Sequence, residues 1–230
     1  MNNQFHSDVW LVIAAYNEGA VIADVIANTI KIFPNIAVVD DGSKDITAQA
    51  ARGAGATVVS HPINLGQGAA LQTGIDYALM QNAKIIVTFD ADGQHRIEDA
   101  VAMINYLSEH QLDVVCGSRF LGVTSETLPL KRKLLLKLAA LFTRVTTGIP
   151  VTDAHNGLRA LSRKAALSIR ITQNRMAHAS EIISQIHEKS LTFAEIPVEI
   201  IYTQYSLAKG QKMSNSINIL MDLFLGRIGK

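Results

Sequence analysis

The sequence predicts an α/β fold with a doubly wound, mostly parallel sheet flanked by helices. Two patterns carry that prediction. Short apolar runs alternate with segments of helical period through the first half of the chain. Three of the runs stop abruptly at polar, acid-bearing loops: Tyr16-Asn17-Glu18, Asp40-Asp41 and Asp90-Ala91-Asp92. Strand–helix alternation is the signature of a parallel sheet. Its crossovers are right-handed, and its ligands lie beyond the carboxyl ends of the strands. Composition agrees, because 48% of the 230 residues are hydrophobic and 18% charged, enough apolar matter for a substantial core.

In chain order, residues 9–14 read as the first strand and 19–33 as a helix with apolar positions at helical spacing. Residues 36–39 form a second strand, closed by Asp40-Asp41-Gly42-Ser43, with Ser43 a candidate N-cap for a helix at 45–54. A strand at 57–60, a helix at 67–81, a strand at 85–89, a helix at 97–109 and a strand at 114–117 follow. Cys116 in the last of these reads as a core thiol. The second half is less regular. It offers a loop at 121–128, a basic amphipathic helix at 131–147, a polar connection at 151–158 and short helices at 162–167 and 179–189. A strand at 194–202, broken by Pro197, precedes a polar loop at 206–216 and an apolar helix at 217–228. No repeat or linker interrupts the chain, which reads as one domain.

Twenty-one Lys and Arg face twenty Asp and Glu, a net charge of +1, so no global field favours nucleic acid. A single cysteine excludes an intramolecular disulfide and fits a reducing compartment. Residues 1–8 lack an apolar signal region, and no apolar run reaches the roughly 18–20 residues a membrane span needs. The expected location is the cytoplasm, at the inner face of a membrane. The 131–147 helix can lie on an anionic surface through Lys131, Arg132, Lys133, Lys137 and Arg144, or pack on the core with that face solvated. The 217–228 helix can pack on the domain, pair with a second copy as a homo-oligomer, or touch lipid.

The chemistry concentrates where the 85–89 run ends. Asp90 and Asp92 stand one residue apart, with the Gln94 carboxamide two residues on. Such a hard-oxygen cluster suits Mg²⁺ or Mn²⁺ carrying a phosphorylated ligand, and carboxylates this close repel unless neutralised. Asn64-Leu65-Gly66-Gln67-Gly68 opens a helix; its amides can hold phosphate, or the glycines serve only a tight turn. A carboxylate at Asp40-Asp41 can accept from a nucleobase and a ribose hydroxyl, or serve the turn. His95 reads as a supporting residue rather than a ligand, His155 as a solvated loop histidine, Trp10 as packing, and Glu181 as facing water.

These segments, with Gly117-Ser118-Arg119-Phe120, Thr152-Asp153, Asn156-Gly157-Leu158-Arg159 and Glu195-Ile196-Pro197-Val198, resemble glycosyltransferase family 2 in order and spacing over nearly the whole chain. Within that family they look most like the dolichyl- and polyprenyl-phosphate sugar transferases. The resemblance implies the GT-A nucleotide-diphospho-sugar transferase fold and a metal-dependent, inverting transfer from a nucleotide-sugar. Residues 9–120 would hold the donor and metal, and 121–230 the acceptor. By the same resemblance Ala14, Tyr16, Glu18, Val39 and Asp41 match positions that bind the donor nucleoside. Asp90, Asp92 and Gln94 match metal ligands, and Ala91 the backbone beside the diphosphate. Arg119 and Arg132 match basic residues around the acceptor phosphate and diphosphate, Asp153 an acidic residue on the acceptor side, and Lys209 part of a late basic pattern. Ala14 stands where the family usually has proline. A lipid phosphate acceptor needs no base. A glycan hydroxyl does, and Asp153 is then the candidate.

Overall fold

The computed structural model describes residues 7–121, 151–175 and 177–201. The helices expected at 131–147 and 217–228, most of the loop at 121–128, the loop at 206–216, and Arg132 and Lys209 lie outside the described residues.

Seven strands form one sheet: β1 (Val9–Ala15), β2 (Asn35–Asp40), β3 (Thr57–Ser60), β4 (Ile85–Asp90), β5 (Val114–Ser118), β6 (Arg159–Ser162) and β7 (Phe193–Pro197). The described helices are α1 (Ile22–Thr29), α2 (Thr47–Gly53), α3 (Gln67–Met80), α4 (Ile97–Glu109), α5 (Arg163–Ser168) and α6 (His178–Glu188). Strand order is β3-β2-β1-β4-β6-β5-β7. Every neighbouring pair is parallel except those of β6, which runs antiparallel to β4 and β5. The mostly parallel sheet read from the sequence is therefore present. The inserted β6 was not anticipated: four residues headed by an arginine carry no strand-like alternation.

Side chains of a strand alternate between the two faces of the sheet, and both faces are covered here. On one, Leu11, Ile13, Val38, Val87 and Phe89 meet Ile22 and Ile26 of α1 and Met103, Ile104 and Leu107 of α4. On the other, Val12, Ile86, Val114, Cys116 and Leu161 meet Leu71 and Ile75 of α3 and Ile182, Ile183 and Ile186 of α6. Burying each of these larger side chains contributes about 1.5–3 kcal/mol, so the strand ends that carry the polar loops rest on a rigid base. Burial pushes the Cys116 thiol up to about 12, as fits a core thiol.

α1 is shorter than its apolar spacing predicts. Its first turn is set by the Glu18 carbonyl, which accepts from Val21 and Ile22 (3.0 and 2.9 Å). At its other end the amides of Ile32 and Phe33 fold back on the Thr29 carbonyl (3.0 and 2.9 Å) ahead of Pro34. The strand expected at 194–202 ends at Pro197, which has no amide to extend the ladder. A lone antiparallel bridge, His95 with Ile200, takes over beyond it.

Candidate active site

Register assembles the site. Ala14 of β1 lies opposite Val39 of β2 on one side and Asp90 of β4 on the other. Three residues distant in sequence thus stand in a row at the carboxyl edge of the sheet. The loops that follow are stitched together. The Asn17 amide donates to the Ser43 hydroxyl (2.9 Å), the Lys44 amide to Asn17 Oδ1 (2.9 Å), and the Glu18 amide to Thr47 Oγ1 (2.8 Å). Asn17 holds φ +52°, a left-handed turn that asparagine tolerates. Ser43 is therefore not the cap of α2. Its hydroxyl serves Asn17, while Asp45 Oδ1 accepts from the Thr47 amide (3.0 Å) at the start of that helix. Tyr16 stands at the rim, 41% exposed.

Asp41 lies beneath this row rather than at its surface, 3% exposed. Its Oδ1 accepts from the Leu65 amide (2.9 Å) and from His61 Nδ1 (2.8 Å), and its Oδ2 from the Gly66 amide (2.8 Å). The Gly68 amide donates to the Asn174 carbonyl (2.9 Å). Three amides of the glycine loop are thus committed to the protein itself, so at these positions the tight-turn reading is the one the structure bears out. The glycines are needed for close approach. A Cβ on Gly66, at φ +104°, would lie 2.2 Å from the Asn174 carbonyl oxygen, and one on Gly68 2.0 Å from that of Gln173. The Glu181 carboxylate holds this facing segment by accepting from the amides of Thr172 (3.0 Å) and Gln173 (2.9 Å). It faces neither water alone nor the row of strand ends.

Beyond β4 the acidic loop brings Asp90, Asp92 and Gln94 together. Asp90 is enclosed on three sides. His95 Nε2 donates to its Oδ2 (2.9 Å), Gln67 Nε2 at the start of α3 approaches its Oδ1 (3.4 Å), and the Gly157 backbone lies against both oxygens. Burial opposes its charge, but His95 and the Arg159 guanidinium outweigh that and hold the carboxyl below the ordinary range. Asp92 behaves oppositely. Burial and the neighbouring Asp90 charge push it up to about 6, with Glu18 adding to the repulsion and the Gln94 amide (3.0 Å) working against it. Ala91 between them is buried in the core.

That repulsion is what a divalent cation relieves, so the residues fit one. Among the described residues no three His, Cys, Asp or Glu are grouped to bind a metal by themselves. The protein offers two carboxylates and a carboxamide, and phosphate oxygens and water would complete the shell, as Mg²⁺ prefers.

On the far side of β6, Asp153 is fully engaged with Arg119. Arg119 Nε and Nη2 donate to its two oxygens (2.6 and 2.7 Å), and the Arg119 amide donates as well (3.1 Å). Burial opposes the charge on Asp153, but Arg119 holds its carboxyl below the ordinary range. Both carboxylate oxygens are thus occupied by Arg119. The Asp153 amide in turn donates to Glu195 Oε1 of β7 (3.1 Å), and Glu195 Oε2 accepts from the Thr152 amide (2.8 Å).

Between the two halves lies a buried basic group that sequence reasoning missed. Arg159, 2% exposed, donates from Nη2 to the Ala154 carbonyl (3.1 Å) and forms no ion pair among the described residues. His178 donates from Nδ1 to the Arg175 carbonyl (2.7 Å). Burial, with the charge of Arg159 adding to it, pushes both His178 and His155 down to about 4, in the case of His155 against the opposing charge of Asp153. His155 is half-buried, its Nε2 shut off from solvent, rather than a fully solvated loop histidine. Arg159 and Gly157 sat inside a recognisable motif, but nothing in the string marks one as buried charge and the other as a wall. Gln67 lay within the glycine-rich motif without a role of its own, and His61 gave no signal at all.

The family model for glycosyl transferase family 2 matches residues 10–169. An uncharacterized protein of Methanocaldococcus jannaschii is 35% identical over 98% of this chain and 95% of its own. The UDP-N-acetylglucosamine–dolichyl-phosphate N-acetylglucosaminyltransferase of Methanococcus voltae is 32% identical over 96% of this chain and 97% of its own. Among solved structures, glucosyl-3-phosphoglycerate synthase of Mycobacterium tuberculosis in complex with Mn²⁺ and UDP-glucose superposes with a TM-score of 0.72 at 20% identity. That match covers 99% of this chain and 81% of that one. At such identity the likeness is one of fold, and the fold is GT-A.

Proposed function

Because the chain belongs to glycosyl transferase family 2, we propose that it is a metal-dependent, inverting enzyme that moves a sugar from a nucleotide-sugar to a polyprenyl phosphate. The observation that carries the reading is the acidic pair at the end of β4: Asp90 is fixed by His95 and walled by Gly157, and Asp92, two residues on, is raised to about 6 by burial and by its neighbour. When bound, Mg²⁺ or Mn²⁺ would neutralise charge on the departing nucleoside diphosphate, held by Asp90, Asp92 and Gln94. Ala14, Tyr16, Glu18 and Val39 line the donor side, and Asp41 supports it from below by holding the Leu65-Gly66 turn. Ala91 leaves its backbone beside the diphosphate.

Arg119 faces the acceptor phosphate, with Asp153 fixing the orientation of its guanidinium fork. Arg132 and Lys209, outside the described residues, match basic positions of the family and would add positive charge toward the phosphates. The acceptor class is supported by the state of Asp153. An attacking hydroxyl needs a base, and a carboxylate locked to an arginine makes a poor one, whereas a lipid phosphate arrives already ionised. The Methanococcus voltae relative is named for transfer to dolichyl phosphate, which points the same way. A lipid acceptor also calls for contact with a membrane surface. Among the described residues no helix is long and apolar enough to cross one.

The test is product formation from a panel of nucleotide-sugars with polyprenyl phosphate, with Mn²⁺ or Mg²⁺ and with chelator, beside an Asp92→Asn variant. Lipid-linked product that requires both metal and Asp92 supports the reading. Donor hydrolysis without lipid product would move the acceptor to a glycan hydroxyl.

A further inference from the structure

We propose that His95 is a positioning residue for the metal-binding carboxylate Asp90, and that it is itself held in place by the segment following β7. The inference rests on the reading of Asp90 and Asp92 as the cation site. His95 is 7% exposed, and its Nε2 reaches Asp90 Oδ2 at 2.9 Å. A carboxylate only accepts, so this ring nitrogen carries the proton. The ring is fixed by an edge contact with Phe89, centroids 5.3 Å apart at 68°. Gln67 reaches the other carboxylate oxygen only at 3.4 Å, so His95 supplies the shorter bond.

The backbone around His95 is anchored from a hundred residues away. His95 bridges Ile200, the Gln94 carbonyl accepts from the Ile201 amide (2.9 Å), Arg96 pairs with Glu199, and the Glu199 amide donates to Asp99 (2.9 Å). The acidic loop is therefore clamped on its outer side to Glu199, Ile200 and Ile201. An imidazole that hydrogen-bonds a coordinating carboxylate restricts that carboxylate to one orientation, and losing such a partner costs about 10–100-fold in metal affinity.

Two polar substitutions separate positioning from simple burial. The carboxamide nitrogen of His95→Gln reaches the place of Nε2, whereas that of His95→Asn falls short. Mn²⁺ affinity is measured by calorimetry in the presence of UDP, with thermal unfolding alongside and Asp92→Asn as the control. The expected result is that Asn weakens Mn²⁺ at least tenfold and Gln stays within about threefold of the parent. Equal affinity in the Asn and Gln proteins, with Asp92→Asn still weakened, would overturn the role of His95 and leave the cation site standing. No metal binding by the parent protein would overturn both.

Discussion

Replacing Gly157 by alanine tests the site with the smallest possible insult. A Cβ at Gly157 would stand 2.4 Å from Asp90 Oδ2, 2.5 Å from Oδ1 and 2.7 Å from Cγ. Ordinary contact begins near 3.4 Å, so the carboxylate must retreat by about 1 Å. The β4 backbone cannot follow, because it is paired to β1 on one side and β6 on the other. The side chain must rotate instead, and the 2.9 Å bond to His95 is lost with it. A displacement of about 1 Å at a positioned group costs on the order of 100-fold in rate, or about 2.7 kcal/mol of transition-state stabilisation. Gly157 does not occupy the left-handed region, so alanine adds no backbone strain there. The expected outcome is a kcat/KM near one-hundredth of the parent and weakened Mn²⁺ binding, with thermal stability nearly unchanged. Parent-like turnover and Mn²⁺ affinity in a folded Gly157→Ala protein would refute the claim that this backbone frames Asp90.

Three further outcomes are expected. Asp153→Asn should raise the acceptor KM at least tenfold without changing Mn²⁺ affinity. Combining it with Arg119→Met should do little more than either alone, since the two act as a unit, and additive losses measured by steady-state kinetics would argue that they act separately. Asp41→Asn replaces an oxygen that accepts from Gly66, Leu65 or His61 with a donor, at a cost of about 2 kcal/mol, read as a lower urea midpoint; an unchanged midpoint would count against its anchoring role. His178, with Arg159, Asp90 and His155 as its charged or titrating neighbours, has a folded pKa near 4 against about 6.5 unfolded. The unfolded chain then binds the proton first as pH falls through 6.5, and stability declines until about pH 4. Between pH 7 and 5 its own contribution falls by about 2 kcal/mol, with His155 adding a similar fall, so His178→Leu should make that part of the urea-midpoint profile shallower by about that amount.

Most of what was legible in the sequence is periodic or punctuated. β1 to β5 were visible as apolar runs of strand length between helical segments, and β1, β2 and β4 end at the acid-bearing turns that are the loops of the site. The row Val39–Ala14–Asp90 was implied once the strands were taken as parallel. What could not be read depends on packing across the sheet. β6 is too short to show a period, and its arginine argues for surface until the flanking strands bury it. Ser43 looked like a cap because it precedes a helix, yet its hydroxyl is taken by Asn17 from another loop. Asp153 looked like a base because it is acidic and in a polar stretch, and only the geometry reveals that Arg119 claims both its oxygens. Asp41 and the glycine loop illustrate the same limit, since an anchor and a ligand contact use the same residue types.

The reversed strand β6 has a consequence for length. With neighbouring strands about 4.8 Å apart, inserting one between β4 and β5 sets their carboxyl ends roughly 10 Å apart. Asp90 ends the first and Ser118-Arg119 the second, and the Gly117 amide meets the Leu158 carbonyl in the gap (3.0 Å). β6 is in this sense a gauge block. It fixes the span between the acidic end and the arginine end by backbone hydrogen bonds alone, a width that the proposed transfer would have to bridge. Side chains on either bank can then vary, and alter which sugar or acceptor is taken, without resetting that span.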